Sequence, residues 1–104
     1  RAYGNRIKKR NQDFCIAAIL DCIGKVKIKK PVYMEYEWYE KNQQRDLDNV
    51  SSFGRKVIQD ALVECWTLTG DGWKNIVGFS DSFYVDADHP RVEVTIREVE
   101  KHEQ

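Results

Sequence analysis

Arg45-Asp46-Leu47-Asp48-Asn49, with Lys56 eight residues after Asp48 and Asp71 between two glycines, concentrates the residue types that handle a phosphate through a divalent cation. If Asp46–Asp48 is extended, both carboxylates project to the same side, because side chains alternate along an extended chain. Two carboxylates met by a third from a later loop give the all-oxygen surroundings preferred by hard cations, here Mg²⁺ or Mn²⁺. A lysine close by then suits a phosphate substrate. The implied chemistry is metal-dependent phosphodiester hydrolysis, with Asp46, Asp48 and Asp71 as metal ligands and Lys56 as the cation facing the phosphate.

Each residue also has a simpler role. One aspartate of the pair is placed to cap a helix. Gly70-Asp71-Gly72 is a turn signal on its own. Lys56 stands four residues before Asp60, the spacing of a helical ion pair. An EF-hand is excluded: counting from Asp46, the sixth position is Ser51 rather than Gly and the twelfth is Val57 rather than Glu. No His–Cys or His–His spacing fits structural zinc.

The elements that must position these residues are legible from periodicity. Helical spacing runs from about Ile7 to Ile23, with Cys15, Ile16, Ala18, Ile19, Leu20, Cys22 and Ile23 on one broad face and Gly24 at a left-handed C-cap. The basic stretch Lys25–Lys30 ends at Pro31, which limits it to a strand edge, a bulge or a connector. Val32–Tyr39 alternates as a strand, with Val32, Met34, Tyr36 and Trp38 on one side. A second helix is expected from about Asp48 to Cys65, with Val50, Phe53, Val57, Ile58, Ala61 and Cys65 as its apolar stripe. Gly54 inside it marks either a close helix–sheet approach or a break. Trp66–Lys74 reads as a loop, Ile76–Phe79 and Ser82–Val85 as two short strands around Ser80-Asp81, and Arg91–Val99 as a last strand. Residues 100–104 read as a frayed tail. The order predicts one α+β domain over residues 1–104, a small mixed sheet packed with two main helices.

The formal charge of zero conceals a division. Residues 1–30 hold nine Lys and Arg against two Asp, net +7, and residues 31–104 hold eight against fifteen acids, net −7. Such a chain suits a protein that grips phosphates in one region and holds cations in another. A solvated basic helix face is the plainer alternative. The three cysteines show no CxxC spacing and are expected to be buried free thiols in a reducing cytoplasm. No apolar run approaches the roughly 20 residues that span a bilayer. The chain opens on Arg1 rather than Met, so a preceding segment is expected.

The set Arg45-Asp46-Leu47-Asp48-Asn49, Lys56-Val57-Ile58-Gln59-Asp60-Ala61-Leu62, Asp71 and Pro90-Arg91-Val92-Glu93-Val94-Thr95-Ile96 resembles the RusA family of Holliday junction resolvases, small and often phage-borne. The resemblance is strongest from Tyr36 to Ile96. It implies a homodimeric Mg²⁺-dependent endodeoxyribonuclease of DNA recombination and repair that cuts four-way junctions. Asp46, Asp48 and Asp71 would be its essential carboxylates and Lys56 its functional lysine. Asn49 and Asp60 would support the site or the helix start. Arg1, Arg6, Lys8, Lys9, Arg10, Lys25, Lys27, Lys29 and Lys30 would contact the junction arms. Three departures stand out. Four extra residues separate Asp48 from Lys56. The family's N-terminal strand is missing. Trp73-Lys74 follows Asp71 where a second acid is usual. The competing readings are a non-catalytic nucleic-acid-binding module and a small phage adaptor.

Overall fold

A computed structural model describes the backbone of residues 2–100 and the side chains of residues 11–100. Two helices and three strands follow in the order α1 (Ala2–Ile23), β1 (Val32–Glu40), α2 (Leu47–Glu64), β2 (Ile76–Val85) and β3 (Arg91–Glu98). The α+β class with a mixed sheet and two main helices is as expected from periodicity. The sheet order is β2-β1-β3, with β1 parallel to β2 and antiparallel to β3.

Strand β1 is central because its inward residues are the most apolar alternating set in the chain. Val32, Met34, Tyr36 and Trp38 are all buried, packed with Val50, Ile58 and Leu62 of α2 and with Leu68. Gly54 allows this packing. A Cβ there would stand 2.5 Å from the Trp38 indole, so the glycine is a close-approach position inside an unbroken helix.

Several boundaries differ from expectation. Helix α1 begins at Ala2 rather than near Ile7. The residues from Ala2 to Arg10 include alanine, lysine and arginine, all strong helix formers. The two short strands expected around Ser80-Asp81 are one strand. The Asp81 carboxylate accepts from Trp38 Nε1 at 2.9 Å and from the Arg55 guanidinium, so a charged residue sits in mid-strand without leaving it. Lys25–Lys30 is a connector, joined to the loop after α2 by Ile28 N donating to Thr67 O at 2.9 Å. Phe53, expected on the apolar stripe of α2, is exposed, and Leu62 and Ser51 are buried instead.

Both helix ends use left-handed residues. Gly24 has φ 70° as predicted, and its N–H donates to Leu20 O at 2.9 Å. At the end of α2 Trp66 takes that role with φ 66°. Its N–H donates to Val63 O and that of Thr67 to Leu62 O, the paired bonds of a Schellman ending. Cys15, Cys22 and Cys65 are free, as expected, but none is fully buried, and Cys22 is exposed. Cys15 and Ile19 of α1 pack against the core, whereas Cys22 and Ile23 in its last turn are exposed. Among the described residues no helix is long and apolar enough to cross a membrane.

Candidate functional site

The parallel pairing of β1 with β2 decides where the candidate residues lie. Two parallel neighbours need a crossover that carries the chain back along the sheet, and α2 is that crossover. The start of α2 therefore lies at the end of β1, and its last turns lie near the start of β2.

Asp46 and Asp48 stand at the first of these places. A Glu40–Arg45 pair, Nε–Oε1 2.9 Å and Nη2–Oε2 3.2 Å, closes the loop between β1 and α2. Asp46 is the N-cap residue by backbone conformation, and its carbonyl accepts from Val50 N at 3.0 Å, but its carboxylate makes no capping hydrogen bond. Asp48 lies in the first turn of the helix. The expected extended alternation of the two does not occur, because the helix begins between them, at Leu47. Both carboxylates are exposed beside the positive end of the helix dipole, where negative charge is favoured.

Asp71 stands at the second place, and Lys56, midway along α2, extends its side chain toward it. Lys56 Nζ lies 3.2 Å from Asp60 Oδ1 and 3.9 Å from Asp71 Oδ2. The helical ion pair and the tertiary pair are both present, so the lysine links the face of α2 to the turn before β2. Asp60, Glu64 and Asp71 border a shallow cleft of about 280 Å³ with Gln12, whose amide donates to Glu64 at 2.8 Å.

The two places do not meet within one chain. Asp48 and Asp60 are twelve residues apart on one helix, about 18 Å along its axis at 1.5 Å per residue. Among the described residues no three His, Cys, Asp or Glu side chains gather into a metal-binding group. Asp46, Asp48 and Asp71 are thus not gathered into one three-carboxylate group among the described residues.

The basic connector lies at the Asp71 end. Lys27 Nζ stands 6.0 Å above the Trp66 ring, and Lys30 Nζ pairs with Glu100 at 2.9 Å. The hydrogen bond to Glu100, aided by its charge, pushes the Lys30 ammonium's pKa up. Lys25, Lys27 and Lys29 are exposed. Arg6, Lys8, Lys9 and Arg10 belong to α1, but their side chains lie outside the described residues.

Three residues not singled out for chemistry also belong to this end. Tyr33, Trp73 and Arg97 border a cleft of about 800 Å³ together with Asp71. Trp73 could have been suspected from its place directly after Gly-Asp-Gly. Tyr33 and Arg97 could not, because their meeting depends on the β1–β3 register. The chain matches no protein-family model and no curated protein.

Proposed function

We propose that the protein is a Mg²⁺-dependent, structure-selective endodeoxyribonuclease of the RusA type, acting on four-way DNA junctions in recombination and repair in the cytoplasm of a bacterial or phage-infected cell. The observation that carries the reading is the 3.9 Å approach of Lys56 to Asp71. Two members of one sequence motif, fifteen residues apart, become neighbours across a helix and a turn. The exposed, uncapped carboxylate of Asp46 and the exposed lysines of the connector agree with it.

The protein works as a homodimer in this reading. One chain holds the Asp46–Asp48 pair at the start of α2 and the Asp71–Lys56 pair beside its second half, and a second copy is the means of bringing the two pairs together. A bound Mg²⁺ would supply an activated water and neutralise charge on the phosphate. Lys56 would hold the phosphate by its positive charge, and Lys25, Lys27 and Lys29 would grip the backbone of the arms.

The test is Mg²⁺-dependent nicking of a synthetic four-way junction by the wild-type chain, by Asp46→Asn, by Asp71→Asn and by a mixture of the two variants. Each variant alone is expected to be inactive, and the mixture to regain activity. Absence of nicking by the wild type across Mg²⁺ and Mn²⁺ rules the reading out. The separation of the acids favours one alternative, a nucleic-acid-binding module without catalysis. That module would bind junctions in a salt-sensitive way and nick none.

A further inference from the structure

The cleft beside Asp71 has a composition that the motif residues do not account for. Tyr33 faces away from the core on β1, and its ring lies against Gly78 of β2. A Cβ at Gly78 would stand 2.8 Å from Tyr33 Cε1. The Arg97 guanidinium of β3 lies 5.2 Å from the centre of the same ring. The sheet thus holds a ring on its outer face with a cation beside it. A glycine on one neighbouring strand and an arginine on the other make this possible.

Trp73 completes the cleft from the other side. Its side chain is 89% exposed. It sits on a fixed turn: Gly72 O accepts from the N–H groups of Asn75 and Ile76, each at 2.9 Å, and the Asn75 amide donates to Thr69 Oγ1 at 2.9 Å. An indole held in water by a rigid turn and bordering a cleft is placed to be covered by a flat partner. The cleft volume of about 800 Å³ falls within the roughly 300–1,000 Å³ usual for small-ligand pockets.

We infer that the Tyr33–Trp73–Arg97 cleft receives an unpaired nucleobase of a DNA strand, stacked on the exposed indole, with Arg97 and Lys56 facing the phosphates on either side. The inference rests on the proposed nuclease reading for the identity of the strand: a base freed at the branch point of a junction. The chemistry favours a nucleotide over a protein segment. The cleft offers the open face of the Trp73 indole and a guanidinium, the combination by which unpaired bases are held without regard to sequence. A cation next to Asp71 would keep the neighbouring phosphate near the acid–lysine pair. Base pairs in an intact duplex cannot reach Trp73 without leaving the stack.

Fluorescence anisotropy of labelled oligothymidine and of a labelled duplex of equal length tests this, with Trp73→Ala, Trp73→Phe and Arg97→Ala, each checked for folding by circular dichroism. Trp73→Ala is expected to weaken oligothymidine binding about tenfold, the effect of losing one stacked base. Duplex binding should be unchanged, and Trp73→Phe should restore most of the affinity. Arg97→Ala should weaken oligothymidine binding and flatten its salt dependence. Equal loss on oligothymidine and duplex, or no loss on either, overturns the inference, as does a wild-type chain that does not bind oligothymidine. Junction nicking by the wild type, run in parallel, separates the two proposals. Nicking with no Trp73 effect removes the base site alone. A Trp73 effect without nicking supports the base site while removing the nuclease.

Discussion

Lys56 joins two carboxylates that the sequence keeps apart, Asp60 on its own helix and Asp71 in the turn before β2, and its 3.9 Å approach to Asp71 ties α2 to the start of that strand. At 57% side-chain exposure the lysine remains open to a phosphate while its charge is balanced. An exposed pair of this kind is worth little to stability, on the order of 0–1 kcal/mol.

Lys56→Ala should accordingly lower junction-nicking turnover by about 100-fold, with junction affinity changed by less than about threefold. Asp71→Asn should abolish nicking and keep binding. Single-turnover rates and anisotropy titrations on the same junction separate the two effects. A loss confined to affinity would move Lys56 into the group that only grips the backbone.

Gly54→Ala should destabilise the fold by about 1–3 kcal/mol, although alanine is normally the better helix residue by about 1 kcal/mol. The sign is set by the 2.5 Å contact a Cβ would make with the Trp38 ring, whose indole N–H is already committed to Asp81. Urea unfolding reads the change. In a Trp38→Leu background the same substitution should cost less than in the wild type, because the smaller side chain vacates the contested space.

Junction affinity should depend steeply on salt through the connector lysines. Lys27→Ala and Lys29→Ala should each reduce the slope of log K against log salt by about 0.9, the contribution of one duplex phosphate contact. Lys30→Ala should reduce it by less, because Glu100 already lies 2.9 Å from its ammonium. Affinities measured across a salt series provide the comparison.

Asp86 should titrate below the usual carboxylate range. Hydrogen bonds from Arg91 and from His89 N–H favour its charged form. A folded-state pKa lowered in this way stabilises the fold in full above the unfolded value, about 3.9, and the stabilisation is lost as pH falls through the lower folded value. Carboxyl NMR should show the depressed titration in the wild type. It should return toward the ordinary value in Arg91→Ala.

Much of the fold was readable before any coordinates. The alternation from Val32 to Trp38 marked the inner face of the central strand, and Gly24 marked the end of α1, because side-chain period and φ preference are local properties. Asp81 misled for a physical reason: a charge in mid-strand reads as a break unless its partners Trp38 and Arg55 are known, and they come from other elements. The end of α2 before the Trp66–Lys74 loop was legible, but the left-handed conformation of Trp66, a position that usually belongs to glycine, was not.

Residue types and spacing by themselves determined the candidate chemistry: paired acids near a helix start, a lysine on that helix, and a later acid in a turn. Tertiary structure alone decided which of these meet. A parallel β1–β2 pairing requires a crossover, and an 18-residue helix used as that crossover carries its two termini to opposite ends of the strands. Asp71 therefore joins Lys56, Tyr33, Trp73 and Arg97, while Asp46 and Asp48 face solvent at the start of α2.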